Sequence, residues 1–487
     1  MLLGLDLGTT NVKAAVTDRE GRILGHGSVP VQLFHVGEGG VEQDLEEIWV
    51  ATLEAIREAT RSLDAARVQA IGISSQGGAM QMLDSRHRPI GRVISWLDDR
   101  GHRDDDALTA ELGRDWFVRR IGHGRSGLAA GQLLRLRREC PSLLAESNRI
   151  GFVGDIIAGR LCGRAAHDGT SCGLTLLYNP NRQAYDPDLL ARLGIREGQL
   201  PDLISPRRAA GSLLPEVARQ TGLAAAIPVS AAIHDQYAAA LGTGAVHTGD
   251  VMFGAGTAWV LLAVMDRLAE PVIDDAFACR HVAEGLYGQI VSLRNGGSAL
   301  TWTLQVIGLA ETNSDVIERM IESVEPGSDG LGFWPFLTAY GASGLVPGVK
   351  GRLAGLQLSQ TSAHVLRAVV EGLACEFNRH LSFLHDAQIP VARLIMSGGA
   401  AASQATPQII ADVTGLPLVC MSGSEGSLLG AAILARGLIE SGKSLAQLAA
   451  GMAPTGRPIS PGQNTGFYRE HYERYRQSLP SLQPNEP

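Results

Sequence analysis

The chain opens with an apolar strand that breaks at a glycine–threonine turn, and near its midpoint it repeats the same figure. Residues 2–7 are apolar apart from Asp6; Gly8-Thr9-Thr10 breaks the run; residues 12–16 resume it. Asp18-Arg19-Glu20-Gly21 turns the chain into a third strand from Ile23. At the midpoint Val251-Met252-Phe253 is broken by Gly254-Ala255-Gly256-Thr257, resumed over 259–264 and turned at Asp266-Arg267. Both glycine turns occupy the same place in a meander. The pattern therefore predicts a diverged duplication: two similar α/β domains joined near residue 245. A length of 487 residues, 45% of them hydrophobic, supplies material for two cores. The expected divisions are 1–245, 246–475 and a loose tail at 476–487.

Between the meanders, Leu45, Ile48, Trp49, Leu53 and Ile56 recur at spacings of three and four. They predict a helix with Asp44 as its cap and Glu47 three residues on. Residues 68–74 read as a buried strand.

A formal net charge of −8 argues against a polyanion such as nucleic acid as partner. The arginines at 119, 120, 125, 135, 137 and 138 read as a solvated helix face. Six cysteines form no C-x-x-C pair and no zinc spacing, which suits a reducing compartment. The N-terminus lacks a secretory signal and no run of 18 apolar residues occurs, so the expectation is a cytoplasmic protein without a membrane span.

The glycine turns carry the chemistry. A phosphate needs backbone N–H groups, hydroxyls and a cation, with no side chain in the way. Gly8, Thr9 and Thr10 offer this, Lys13 can reach a terminal phosphate, and Asp6 can hold magnesium through water. Alone, such a turn reads equally as a tight strand connection; the second one at Gly254, Gly256 and Thr257 favours a shared triphosphate. A third element, Ser397-Gly398-Gly399-Ala400, follows the strand Leu394-Ile395-Met396. It leads past Ser403, Pro407 and Gln408 into a helix through Asp412 to Gly415, then a strand over 417–421. Gly398 and Gly399 let backbone approach a flat ring; in isolation they read as a packing link. Asp235 follows the apolar stretch 227–233 and precedes a small-residue helix, where a single Asp is commonly a cap.

Taken together, the stretches Leu5-Asp6-Leu7-Gly8-Thr9-Thr10-Asn11-Val12-Lys13, Ile94-Ser95-Trp96-Leu97-Asp98-Asp99-Arg100, His234-Asp235-Gln236, Gly254-Ala255-Gly256-Thr257, 397–412 and 425–435 resemble the FGGY carbohydrate kinases of the actin-like ATPase superfamily. They run in family order over nearly the whole chain. The resemblance implies two actin-like (ribonuclease H-like) α/β domains with an ATP and sugar cleft between them, with the sugar, phosphates and base served by the first and ATP by the second. It implies ATP and Mg2+ as cofactors and phosphorylation of a sugar or polyol, foremost a ketopentose such as xylulose. Other ketoses and polyols are the alternatives: a fuculose-like deoxyketose, ribulose or erythritol. Asp235 is implied as catalytic base and as a second candidate for the metal beside Asp6. Gln76, Trp96, Asp98, Arg100 and Asp235 are implied as sugar contacts. Gly8, Thr9, Thr10, Lys13, Gly254, Gly256, Thr257, Gly398, Gly399, Ala400 and Ser403 are implied as ATP contacts. Members are often homodimers; no interface signature stands in this sequence. Trp96 reads otherwise as core, and Asp98 and Arg100 as a pair with each other.

The chain departs from its relatives in places. Gln76-Gly77-Gly78-Ala79 stands where xylulokinases carry Gln-Met-His-Gly, so the sugar-facing His is missing, as is the Arg-Glu pair of glycerol kinases. The common Gly-Glu-Arg-x-Pro stretch is replaced by Tyr340-Gly341-Ala342-Ser343-Gly344. Two motifs are chance matches. Residues 437–444 fit the P-loop pattern but follow a helical Ala/Leu run rather than a strand. Residues 169–173 fit G-x-S-x-G without the strand before or the helix after. Outside enzymes, the alternative is a non-catalytic actin-fold ATP binder.

Overall fold

The computed structural model describes residues 1–338, 348–421, 423 and 425–482. Residues 340–344, where the Gly-Glu-Arg-x-Pro stretch is replaced, lie outside them. The chain forms two compact units. The first comprises Met1–Val246, Asp266–Gln289 and Glu425–Ala453; the second comprises His247–Met265, Ile290–Ser424 and Pro454–Pro487. Against the expected continuous second domain over 246–475, two of its segments thus pack with the first unit. The expected loose tail from 476 begins as ordered helix: Thr465–Ser478, followed by a 3-10 turn at Leu479–Leu482.

In the first unit the strands Leu2–Leu7, Asn11–Thr17 and Ile23–Pro30 form the antiparallel meander read from the sequence. Ile71–Ser75 then adds parallel to the first strand, and Pro228–His234 parallel to that. The strand read over 68–74 begins later than expected, because Asp64 caps a 3-10 turn at Ala65–Arg67. The helix Leu45–Thr60 starts at Asp44, whose carboxylate accepts from the N–H groups of Glu46 and Glu47. Glu47 does not close a capping box; its carboxylate accepts from Gln32 N instead.

The second unit repeats this topology. Asp250–Ala255 pairs antiparallel with Trp259–Met265 and parallel with Arg393–Ser397, which continues to Leu418–Cys420 and Arg457–Ile459. An antiparallel hairpin with a parallel third strand thus opens both units, as the paired glycine turns predict.

The helix Gly426–Ile439 explains why its sequence is so poor in bulk. It lies against Leu2–Leu7, Ile71–Ser75 and the helix Asp235–Gly242. A Cβ on Gly72 would stand 1.8 Å from Ala431 O, and one on Gly430 1.9 Å from Ala238 O. Backbone meets backbone here, so any larger residue must push the helix off the sheet. The P-loop match dissolves in this helix: Gly437 is inside it, and Ser444 caps the next helix, Leu445–Met452. Ser171 is likewise no nucleophile elbow. It is buried in the short helix Gly169–Gly173 with its N–H on the cap Asp168. No helix among the described residues is long and apolar enough to cross a membrane.

Asp168 supplies a test of the first core. Burial pushes its carboxyl up to about 6, against hydrogen bonds from Thr170 and Ser171. A folded value above the ordinary range favours the protonated form, so the stability it contributes is present at low pH and lost as pH rises through about 6. Thr170 N, Thr170 Oγ1 and Ser171 N all bond one oxygen, Oδ1, which an Asn retains. The advantage of Asp168→Asn in urea unfolding should grow by about 2 kcal/mol between about pH 4.5 and 8, because each pH unit below the folded value costs the acid about 1.4 kcal/mol. A pH-independent difference would contradict this.

Candidate functional site

The first unit gathers polar and charged side chains at the ends of its parallel strands. Register places Lys13 opposite Asp6 across the first hairpin. The turn between them is closed by Gly8 N donating to Asn11 O at 3.1 Å. A Cβ on Gly8 would lie 2.8 Å from that same oxygen, so the turn itself excludes a side chain.

Asp6 lies within a tight polar shell. Ser74 Oγ donates to its Oδ1 at 2.8 Å and Ser427 Oγ to its Oδ2 at 2.7 Å. Burial raises its pKa, the nearby Asp235 carboxylate raises it further, and the two hydroxyls and Lys13 lower it. Lys13 is only partly exposed, its ammonium 3.8 Å from Glu425 Oε1. Glu425 and Ser427 are contributed by the start of the Gly426–Ile439 helix and were missed in the sequence. Nothing local marks them, because their partners lie more than 400 positions away.

Asp235 opens the helix Asp235–Gly242 directly after the strand Pro228–His234. It is not the cap: His234 is, accepting from Gln236 N through Nδ1 at 3.3 Å. Asp235 is the first residue inside the helix, and about a third of its side chain is exposed. Burial pushes its pKa up to about 6, against hydrogen bonds from Gln236. At neutral pH it is an ionised carboxylate of raised basicity, suited to accepting a hydroxyl proton. The His234 imidazole is held down to about 3 by burial and stays neutral, its Nε2 3.4 Å from Asp235 Oδ1.

The residues expected to meet a sugar divide into two groups. Trp96 is 46% exposed and so is not core; its Nε1 donates to Thr9 Oγ1 at 3.0 Å, fixing an open indole face beside the turn. Gln76 is buried and its amide is used internally. It accepts from Thr9 Oγ1 at 3.1 Å and donates to Gln43 Oε1 at 3.0 Å, while Gln43 donates to Thr9 O. Gln76 therefore braces the Gly8–Thr10 turn. The Asp98 side chain has no exposure; Arg100, Val41 N and Gln132 all donate to it. Burial raises its carboxyl, but these bonds hold it below the ordinary range. Arg100 also reaches Glu42 at 2.7 Å. Asp98 and Arg100 form a structural pair, and the geometry leaves Asp98 no free oxygen for a sugar. Thr9 is likewise an anchor, whereas Thr10 is exposed.

The missing histidine falls at Gly78, whose φ of +74° strains any side chain. At Gly77, the methionine position, a Cβ would fall 2.6 Å from the His234 ring. The imidazole of His234 occupies the space a side chain at 77 would take.

The second unit has a glycine turn of its own. Gly256 O accepts from Gly297 N at 2.9 Å, and Thr257 O from Ser298 N at 3.0 Å. This ties the second turn to the N-terminus of the helix Gly297–Val306 and uses the first N–H groups of that helix within the protein. Neither Gly297 nor Ser298 was expected at the site. Gly398, at φ +92°, packs on Ala255, where its Cβ would come within 3.0 Å of the backbone. Gly254 and Gly399 differ: a Cβ on either meets nothing within 4 Å, and neither has positive φ. Neither packing nor backbone conformation requires glycine at these two positions. Ser403 is occupied: its hydroxyl donates to Glu318 at 3.2 Å and accepts from Thr406 N at 2.9 Å. It serves the loop and the helix start, and its hydroxyl is not free for a nucleotide.

No cluster of three or more metal-binding side chains occurs among the described residues. A magnesium ion that bridges phosphates needs only one or two carboxylates and keeps its waters. Asp6, whose oxygens each accept one hydroxyl and retain lone-pair capacity, fits that role.

The model of the FGGY family of carbohydrate kinases, N-terminal domain, matches residues 1–242, and that of its C-terminal domain matches 251–436. Xylulose kinase of Escherichia coli K12 is 26% identical, with 99% of each chain covered. Glycerol kinase of Bordetella parapertussis is 29% identical over 98% of this chain and 96% of its own. The crystal structure of a "xyloylose kinase" from Brucella ovis superposes with a TM-score of 0.91 at 26% identity, covering 99% of both chains.

The open glycines give a prediction. Val is at home in the strand Asp250–Ala255, so Gly254→Val should leave the thermal midpoint within about 2 °C, as expected of a substitution costing under about 0.5 kcal/mol. It should weaken binding of a nucleoside triphosphate by at least about tenfold, or about 1.4 kcal/mol. Unchanged affinity in calorimetry would show that no ligand approaches Gly254.

Proposed function

Because the chain belongs to the FGGY family of carbohydrate kinases, it is an ATP-dependent kinase of a sugar or polyol, and we propose that its acceptor is a ketopentose such as xylulose. The family sets aside the reading as a non-catalytic ATP binder. Supporting the ketopentose are the full-length similarity to xylulose kinases and the open Trp96 face, a platform for a sugar ring. The observation that carries the mechanism is the raised, partly open Asp235 carboxylate near the hydroxyl-bound Asp6.

In the proposed reaction the acceptor hydroxyl gives its proton to Asp235 as its oxygen bonds the γ-phosphorus. The bond from that phosphorus to the β-γ bridging oxygen breaks, and the oxygen leaves with ADP. Within the first unit the Gly8–Thr10 turn, with Thr9 braced by Gln76 and Trp96, takes phosphate, with Lys13 as the cation. Within the second unit the Gly254–Thr257 turn takes phosphate, and Gly398, Gly399 and Ala400 take adenosine. Asp6 would hold magnesium through water, and the ion would supply charge neutralisation on the phosphates. Neutral His234 caps the helix that presents the base.

Asp235→Ala should lower kcat by about a hundredfold or more while ATP affinity changes less than about threefold, as removal of a general base does. Retention of more than about a tenth of kcat would contradict the assignment. ADP release should be fastest with xylulose in a panel that includes ribulose, a fuculose-like deoxyketose, erythritol and glycerol. A tenfold higher kcat/KM for any of the others would replace the proposed acceptor.

A further inference from the structure

The loop after Gly398-Gly399-Ala400 is gripped from both sides by residues of the second unit that lie far from it in sequence. Glu318, on the helix Ser314–Glu322, takes every donor the loop offers it on one oxygen. Its Oε1 accepts from Ser403 Oγ at 3.2 Å, Gln404 N at 2.7 Å and Ala405 N at 2.5 Å. The last two are N–H groups at the start of the helix Ala405–Thr414, which no intrahelical carbonyl can reach. Arg457, at the head of the strand Arg457–Ile459, takes the acceptors. Its guanidinium donates to Ser403 O at 2.7 Å, Ala401 O at 3.4 Å and Gln404 Oε1 at 2.7 Å. One acid thus satisfies the donors and one base the acceptors of a single short segment, residues 401–405. Bonds of this charge-assisted kind are shorter and stronger than neutral ones.

Gly399 begins the 3-10 turn Gly399–Ala402, which runs directly into the segment that Glu318 and Arg457 hold, and no protein atom lies near where its Cβ would be. A loop that must meet a flat ring with bare backbone loses affinity in proportion to the freedom it surrenders on binding. We propose that Glu318 and Arg457 are positioning residues for the nucleotide, holding residues 398–400 in the conformation that binds adenosine. This rests on the reading of that loop as the adenosine site.

The test uses the full-length chain and ADP as the calorimetric ligand, with steady-state kinetics beside it. Glu318→Ala should raise the Kd for ADP and the KM for ATP by about tenfold, leaving kcat at saturation and the KM for the sugar within about twofold. Glu318→Gln keeps the accepting oxygen and should restore affinity to within about threefold of the parent. Arg457→Ala should show the same split, which covers the case of a Glu318→Ala chain that fails to fold. Gly399→Leu serves as the control on the loop itself. If Gly399→Leu abolishes ADP binding while Glu318→Ala and Arg457→Ala bind normally, the loop is the nucleotide site and the clamp is wrong. If Gly399→Leu binds ADP normally, the reading of the loop falls and the clamp with it. Equal losses in kcat, sugar KM and ATP KM would also overturn the proposal, since they signify general damage.

Discussion

Much of the first unit's chemistry depends on one carboxylate held by two hydroxyls. Asp6 has one oxygen on Ser74 at the end of a neighbouring strand and the other on Ser427, 421 positions away. Desolvation and the nearby Asp235 both press it toward the neutral form, and only these bonds and Lys13 oppose them. Under the proposed function a neutral Asp6 would be of little use to a magnesium–phosphate complex, and the placement of Ser427 would matter as much as Asp6 itself.

That placement is a packing problem solved with small residues. The helix Gly426–Ile439 approaches the sheet at Gly72 and the neighbouring helix at Gly430 so closely that no Cβ fits at either glycine. Close backbone approach places the helix start, with Glu425 and Ser427, against Lys13 and Asp6. The same economy is seen in the second unit, where the glycine turn is tied to the start of the Gly297–Val306 helix by two backbone bonds.

What could be read from the sequence was local. The hairpins announced themselves because a glycine turn between apolar runs needs no distant partner, and the Asp44 cap and the Gly415 helix end follow the same logic. Asp235 was placed correctly at a strand–helix junction, but that His234 is the cap there is disclosed only by the hydrogen bonds. Asp98 and Gln76 have the residue types of sugar ligands; their carboxylate and amide are consumed by Arg100, Val41, Gln132, Gln43 and Thr9. Saturation of a polar group is a property of everything packed around it, and no spacing encodes it. Ser427, Glu318 and Arg457 escaped for the same reason: each acts on a partner far along the chain.

The claim at the centre of this account is that Ser427 acts on nucleotide binding through Asp6. Calorimetry of a non-hydrolysable ATP analogue with magnesium, on Ser427→Ala, Asp6→Asn and the double variant, tests it directly. The account predicts that Ser427→Ala weakens binding about tenfold in the parent, the worth of a hydrogen bond to a charged group. It predicts less than about twofold further loss once Asp6 is already Asn, because the two residues share one interaction. Losses that simply multiply would mean that Ser427 and Asp6 act independently, and would contradict it.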